Sequence, residues 1–224
     1  MGLARPVELP GSRPLAFEVG PDLSLALRAW PTEHVAKCLV AWHPDDPAAL
    51  RETQVERLLA LQTACVGTDR ELLLEVIPPR EPGLAADTVA RALEQIYAAG
   101  MRPDWWKLPP PDSAHEWALV ENVIARHDPH CRGVLLLGLE ASEAALAASF
   151  ALAAPRPVCK GFAVGRSIFG DAAAAWFGGA MSDEAVVADV AARYARLAAL
   201  WRRARPASVA AAAAFPLSAA KETS

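Results

Sequence analysis

Three charged residues interrupt runs that are otherwise apolar, and each can carry chemistry. Lys107 lies in Asp104-Trp-Trp-Lys-Leu-Pro109, a short strand-like run that ends in a proline-stiffened turn. A lysine amine that has shed its proton attacks a carbonyl carbon to form a Schiff base, and neighbouring tryptophans favour that neutral form by desolvating the ammonium. Lys37 lies inside Val35-Ala-Lys-Cys-Leu-Val40. There it would place a second positive charge near Lys107 and disfavour protonation of that amine. Glu75 breaks the run Glu71-Leu-Leu-Leu-Glu-Val-Ile77. A buried carboxylate needs a cationic partner, which the two lysines offer, and it can relay protons. Each residue also has a plain structural reading. Lys107 would snorkel at a strand end, Lys37 would face water from an edge strand, and Glu75 would serve a purely structural ion pair.

The lysine usage draws attention to these positions. Of 22 basic residues only four are lysines, Lys37, Lys107, Lys160 and Lys221, and the first three lie in or against apolar runs. Lysine is rarely buried unless paired, so this is the reverse of a solvating pattern.

A fourth group suits an anion. Gly161-Phe-Ala-Val-Gly-Arg-Ser-Ile-Phe-Gly170 reads as a strand, a glycine and a helix start. Backbone N–H groups at such a turn receive a phosphate, and Arg166 adds a bidentate clamp. Gly138, after the run 133–137, would supply the other half of a cradle with Gly165. The tight-turn reading leaves Arg166 solvated instead. His43, Asp45 and Asp46 follow a strand and offer metal or substrate ligands, or a turn with a helix cap. His127 and His130 lie in a turn, and no pair has a convincing metal spacing. We therefore expect no metal and no cofactor.

The elements that must position these residues alternate. Strand-like runs at 2–7, 35–42, 71–77, 104–108, 133–139 and 161–164 are separated by helical patterns at 47–66, 86–99, 114–126, 142–153, 171–179 and 182–203, with a long loop after the first strand. Asp112, Ser113 and Ser182 look like helix starts and Gly100 like a helix stop. Regular βα alternation implies an α/β fold with a parallel sheet, closed as a barrel or open and doubly wound. The first strand has no GxGxxG after it, and no P-loop or nucleophile elbow follows elsewhere.

Composition bounds the remaining classes. The chain has 224 residues, 53% hydrophobic and 21% charged, with a net charge of -4. That is a globular composition without the basic patch of a nucleic-acid binder. No long apolar span or signal core appears, so we expect neither membrane insertion nor export. Four scattered cysteines fit reduced thiols in a cytoplasmic protein. Residues 206–224 become low in complexity and read as a disordered tail, which leaves 1–205 as the folded domain.

Several of these segments together resemble a known family. They are Arg5-Pro-Val-Glu-Leu-Pro-Gly-Ser-Arg13, Trp42-His-Pro-Asp-Asp46, Glu71-Leu-Leu-Leu-Glu75, Asp104-Trp-Trp-Lys-Leu-Pro109, Cys131-Arg-Gly-Val-Leu-Leu-Leu-Gly-Leu139 and Lys160-Gly-Phe-Ala-Val-Gly-Arg-Ser-Ile-Phe169. From about residue 2 to about residue 203 the chain resembles the C-terminal aldolase domain of bifunctional 5-dehydro-2-deoxygluconokinase / 5-dehydro-2-deoxyphosphogluconate aldolase of inositol catabolism. More distantly it is similar to class I tagatose bisphosphate aldolase. The resemblance implies a (β/α)8 TIM barrel of class I aldolase type. The first two βα units have no counterpart here, so the expected fold is an incomplete barrel of about six units, strands 3–8 of a full one. It also implies a cytoplasmic lyase that cleaves 2-deoxy-5-keto-gluconate 6-phosphate to dihydroxyacetone phosphate and malonate semialdehyde. By motif, Lys107 resembles the Schiff-base lysine, Lys37 the second active-site lysine and Glu75 a carboxylate on the intervening strand. Gly165 and Arg166 resemble the phosphate site after the last strand. Arg5, Arg13 and His43 are assigned to the substrate, the two arginines to its carboxylate. The expected ligand is a small sugar phosphate. The expected protein partner is a second copy or a chain that supplies the missing strands. The alternatives are a catalytically inactive or truncated sugar-phosphate-binding subunit and a metal-dependent lyase using His43, Asp45 or Asp46.

Overall fold

The computed structural model describes residues 3–209. Between Leu137 and Gly138 the chain divides into two compact units.

The first unit runs β1 (Leu3–Pro6), α1 (Leu23–Arg28), β2 (His34–Val40), α2 (Ala48–Gly67), β3 (Leu72–Val76), α3 (Thr88–Ala98), β4 (Trp105–Leu108), α4 (Ala114–His127) and β5 (Gly133–Leu137). Its strands form a sheet in the order β1-β2-β3-β4-β5, every pair parallel. The α/β class and the βα alternation expected from the sequence are both present. Short apolar strands need cover on one face at least, and here the helices supply it. Ala36, Cys38 and Val40 of β2, Leu72, Leu74 and Val76 of β3, Trp106 and Leu108 of β4, and Val134 and Leu136 of β5 are all buried on that face. Trp106 donates its indole N–H to the Tyr97 hydroxyl of α3 at 2.6 Å, so this is the helix-covered side. The opposite face alternates with it and carries Lys37, Leu39, Leu73, Glu75, Trp105, Lys107 and Leu135. On β2 and β4 those side chains are only half-buried.

Local signals explain where the elements start and stop. At the head of α4 the Ser113 hydroxyl accepts from the Glu116 N–H at 3.2 Å, and the Glu116 carboxylate accepts in return from the Asp112 N–H at 3.1 Å. Such reciprocal capping satisfies donors that a helix start leaves open. Gly100 ends the α3 region with φ +96°, a conformation that costs glycine little.

Helix α1 lies where a long loop was expected. It spans six residues, too few to show a period. Asp22 caps its start by accepting from the Leu25 N–H at 2.9 Å. Buried Arg70 takes the carbonyls beyond its other end, donating to Trp30 O and Pro31 O at 2.7 Å each. The helix is thus fixed by a residue distant in sequence.

The second unit contains α5 (Glu143–Ala153), β6 (Cys159–Ala163), α6 (Arg166–Phe177) and α7 (Asp183–Ala204). Helix α6 starts five residues earlier than its sequence pattern indicates, directly at the Gly165 turn. An aromatic cluster fills the core, with Phe150 4.8 Å from Phe162 and 5.4 Å from Trp201 between ring centres. Helix α7 opens on Asp183 and Glu184 and closes on Arg202 and Arg203, charges that suit its dipole. Of the expected tail, residues 206–209 are described, with 207–209 helical, and residues 210–224 lie outside the described residues.

Candidate active site

The register of the first unit brings the three sequence-selected charges together. Glu75 lies directly opposite Lys107, and Leu39 is opposite Glu75, so Lys37 is one same-face step back along β2. One carboxylate oxygen, Glu75 Oε2, is 2.7 Å from Lys37 Nζ and 3.1 Å from Lys107 Nζ. Glu75 is 3% exposed, so its charge depends on these two ammoniums rather than on water. Glu75 and Lys107 sit in the C-terminal half of their strands, the end at which parallel βα units present reactive groups, and Lys37 is at the midpoint of β2.

A fourth charge extends the row. Glu8 follows β1 and is buried, and its Oε1 is 2.5 Å from Lys37 Nζ. Its backbone is pinned on several sides. The Val7 N–H donates to Lys37 O at 3.0 Å, Glu8 bridges to Phe17, and the Glu18 N–H returns to Val7 O at 2.9 Å. The row therefore reads Glu8, Lys37, Glu75, Lys107, two acids alternating with two bases. Burial pulls the Lys37 ammonium towards neutrality, but its hydrogen bonds to Glu75 and Glu8 outweigh that and raise its pKa above 10.5. Glu8 was not singled out from the sequence. It lies outside any apolar run, in a Pro- and Gly-bearing segment where a carboxylate gives no signal.

Several expectations change at this point. Lys37 is not on an edge strand, because β2 lies between β1 and β3. The two lysines do not simply face each other as like charges, since both bind one carboxylate oxygen. Only Trp105 shares the face of Lys107, because strand alternation turns Trp106 to the helix side. The desolvating tryptophan pair expected around the amine is thus a single residue, whose indole N–H donates to Glu71 at 2.7 Å. Lys160 of β6 is exposed, unlike the other two strand lysines.

The residues assigned to the substrate's remaining groups have partners of their own. Arg5 stacks over Trp30, 4.5 Å from the ring centre. Arg13 pairs with Asp46, whose other oxygen accepts from the His43 N–H at 3.0 Å. Buried His43 uses both ring nitrogens, at 2.7 Å from Gly83 O and 3.1 Å from the Asp45 N–H that it accepts. Asp45 pairs with Arg91. Asp46 closes a turn, and the cap position of α2 is Pro47. Among the described residues no cluster of three His, Cys, Asp or Glu converges in a way that could hold a metal. Cys38, Cys65 and Cys131 are free thiols. Burial pushes Cys65 up to about 12 and Cys131 to about 11, so neither is a ready nucleophile.

In the second unit Gly165 caps α6, and Arg166 binds Glu140 while remaining 71% exposed. A side chain on Gly138 would come within 2.8 Å of the Val164 methyl, so close packing requires glycine there whatever else the turn does. Arg166 also lines a cleft of about 530 Å³ with Glu140, Ser167, Asp171, Arg193 and Arg196. Arg193 pairs with Asp171 at 3.1 Å and Arg196 with Glu143 at 3.2 Å.

Parallel strands joined by helices, with a lysine–carboxylate row on one sheet face, define an α/β protein of the βα-repeat class. The chain belongs to a family described as "Uncharacterized protein conserved in bacteria (DUF2090)", which matches residues 1–205. No curated protein matches the sequence. Among the described residues no helix is long and apolar enough to cross a membrane.

Proposed function

We propose that the chain is a class I aldolase domain acting on a ketose-type sugar phosphate, with Lys107 as the Schiff-base amine. The observation that carries this reading is the sharing of Glu75 Oε2 by Lys37 and Lys107 on one half-buried sheet face. A retro-aldol cleavage needs an amine, a nearby cation and a proton acceptor, and the row supplies one of each. The Lys107 nitrogen adds to the substrate ketone, and loss of water leaves an iminium. Glu75, directly or through water, takes the proton of the hydroxyl beyond the bond to be cleaved. The carbon–carbon electron pair then flows into the iminium, giving an enamine and a free aldehyde. Protonation of the enamine and hydrolysis return the lysine. Lys37 remains an ammonium and balances the charge on Glu75.

The resemblance in the motifs narrows the substrate to 2-deoxy-5-keto-gluconate 6-phosphate, with dihydroxyacetone phosphate and malonate semialdehyde as products. It gives the phosphate to Gly165 and Arg166. Since Arg166 already binds Glu140, a phosphate there would have to displace a carboxylate. The expected assembly with a second copy or a further chain belongs to this same reading.

The test is cleavage of that substrate by wild type and by Lys107→Ala, followed by coupled detection of dihydroxyacetone phosphate. We expect activity in wild type, unaffected by EDTA, and a loss of at least about 100-fold in Lys107→Ala. Full cleavage by the variant would refute the mechanism. Activity abolished by EDTA would favour the metal-dependent reading. A non-catalytic sugar-phosphate-binding chain is the second reading, favoured because every charge in the row is already paired. It expects binding without cleavage in both proteins.

A further inference from the structure

We infer that Glu8 is a positioning residue that commits Lys37 to the charged form and so leaves Lys107 as the reactive amine. This rests on the aldolase reading for its purpose but not for its test. The row is asymmetric. Lys37 contacts two carboxylates, at 2.5 and 2.7 Å, whereas Lys107 contacts one, at 3.1 Å, and shares it. Accessibility does not separate the two amines, because their side chains are 16% and 17% exposed. Without Glu8, two lysines of equal exposure would compete for one carboxylate, and either could become the nucleophile.

Glu8 is suited to break that symmetry. Its second oxygen, Oε2, is buried without a hydrogen-bond partner among the described residues. Its charge is therefore directed at Lys37 alone. A half-satisfied buried carboxylate is costly, and a nearby ammonium relieves that cost only while it stays charged. Removing the Lys37 proton would strand Glu8 as an uncompensated buried anion. The groups that face Lys37 are Glu8 after β1, Glu75 on β3 and, through Glu75, Lys107 on β4. Cys38, its neighbour in sequence, is turned to the helix side and is held as a neutral thiol by burial. The raised pKa of Lys37 agrees with this geometry.

The experiment is competitive acetylation of the intact protein with limiting acetic anhydride, read by peptide mass spectrometry across a pH series. Exposed Lys160 serves as the internal standard. Acetic anhydride modifies only neutral amines, and no substrate is present, so the result does not depend on aldol chemistry. In wild type we expect Lys37 labelling to begin at a higher pH than Lys107 labelling. Coincident pH profiles would overturn the inference without any variant being needed. In Glu8→Gln, which keeps the shape and loses the charge, we expect Lys37 labelling relative to Lys160 to rise about tenfold or more, since one pKa unit is a tenfold change in the neutral fraction. Glu8→Asp, which keeps the charge, should restore most of the wild-type profile. An unchanged Lys37 ratio in folded Glu8→Gln would overturn the inference. If Lys107→Ala retains aldolase activity while these labelling results hold, the aldolase reading fails and the assignment of Glu8 stands.

Discussion

The two units pair charges in opposite settings. In the first, Glu8, Lys37, Glu75 and Lys107 meet on a sheet face where the acids are buried and the amines largely covered. In the second, Arg166 pairs with Glu140 and Arg196 with Glu143, with more than half of each side chain in water. Water screens the second set, so those pairs contribute little and exchange readily. The first set has lost its water, so each charge depends on its neighbour. A ligand can therefore displace a partner in the arginine cleft at small cost. In the lysine row it must replace an interaction in kind, and that is the setting in which a proton or a carbonyl can be handled selectively.

The largest expected effect lies in the row itself. Glu75→Ala leaves two covered ammoniums without their shared partner and should lower unfolding free energy by about 3–5 kcal/mol in urea titrations. Glu140→Ala should leave the urea midpoint unchanged within error. Equal losses for the two variants would erase the contrast. The second unit should be sensitive instead where backbones meet. Gly138→Ala forces a methyl against Val164, whose branched side chain has little rotamer freedom, and should cost about 1–3 kcal/mol.

A smaller effect comes from pH. The folded-state pKa of Lys37 stands above its ordinary value of 10.5. Its stabilising contribution is therefore complete below that value and is lost as pH rises through the folded-state pKa. Alkaline urea titrations should show this loss in wild type and a flatter dependence in Lys37→Met. An identical slope in the two proteins would mean that the row does not hold Lys37 charged. The smallest effect is expected at Arg166. Arg166→Ala should leave the midpoint unchanged but weaken any protection by inorganic phosphate, measured as the shift in Tm on adding phosphate. A large loss of stability would place Arg166 with the structural charges.

Much of the row could be read from the sequence, for a physical reason. Lys37, Glu75 and Lys107 each stand in a run that wants to be apolar, so each implies a partner, while the register that puts them on one face is set by strand pairing and not by any one run. Alternation along β4 sends Trp106 to the helix side, so the two adjacent tryptophans do not act together on the amine. Glu8 and α1 were not legible. Each is held by a contact distant in sequence, Lys37 for Glu8 and Arg70 for α1, and neither leaves a periodic trace. His43 looked available because residue type does not reveal that Gly83 and Asp45 occupy both ring nitrogens.

We expect Lys107 above all to be an amine able to form a Schiff base. The direct measurement is borohydride reduction in the presence of dihydroxyacetone phosphate, followed by peptide mass spectrometry. We expect a single reduced adduct on Lys107, absent from Lys107→Ala. A folded protein that yields no adduct, or one whose adduct sits on Lys37 or Lys160, would contradict the claim.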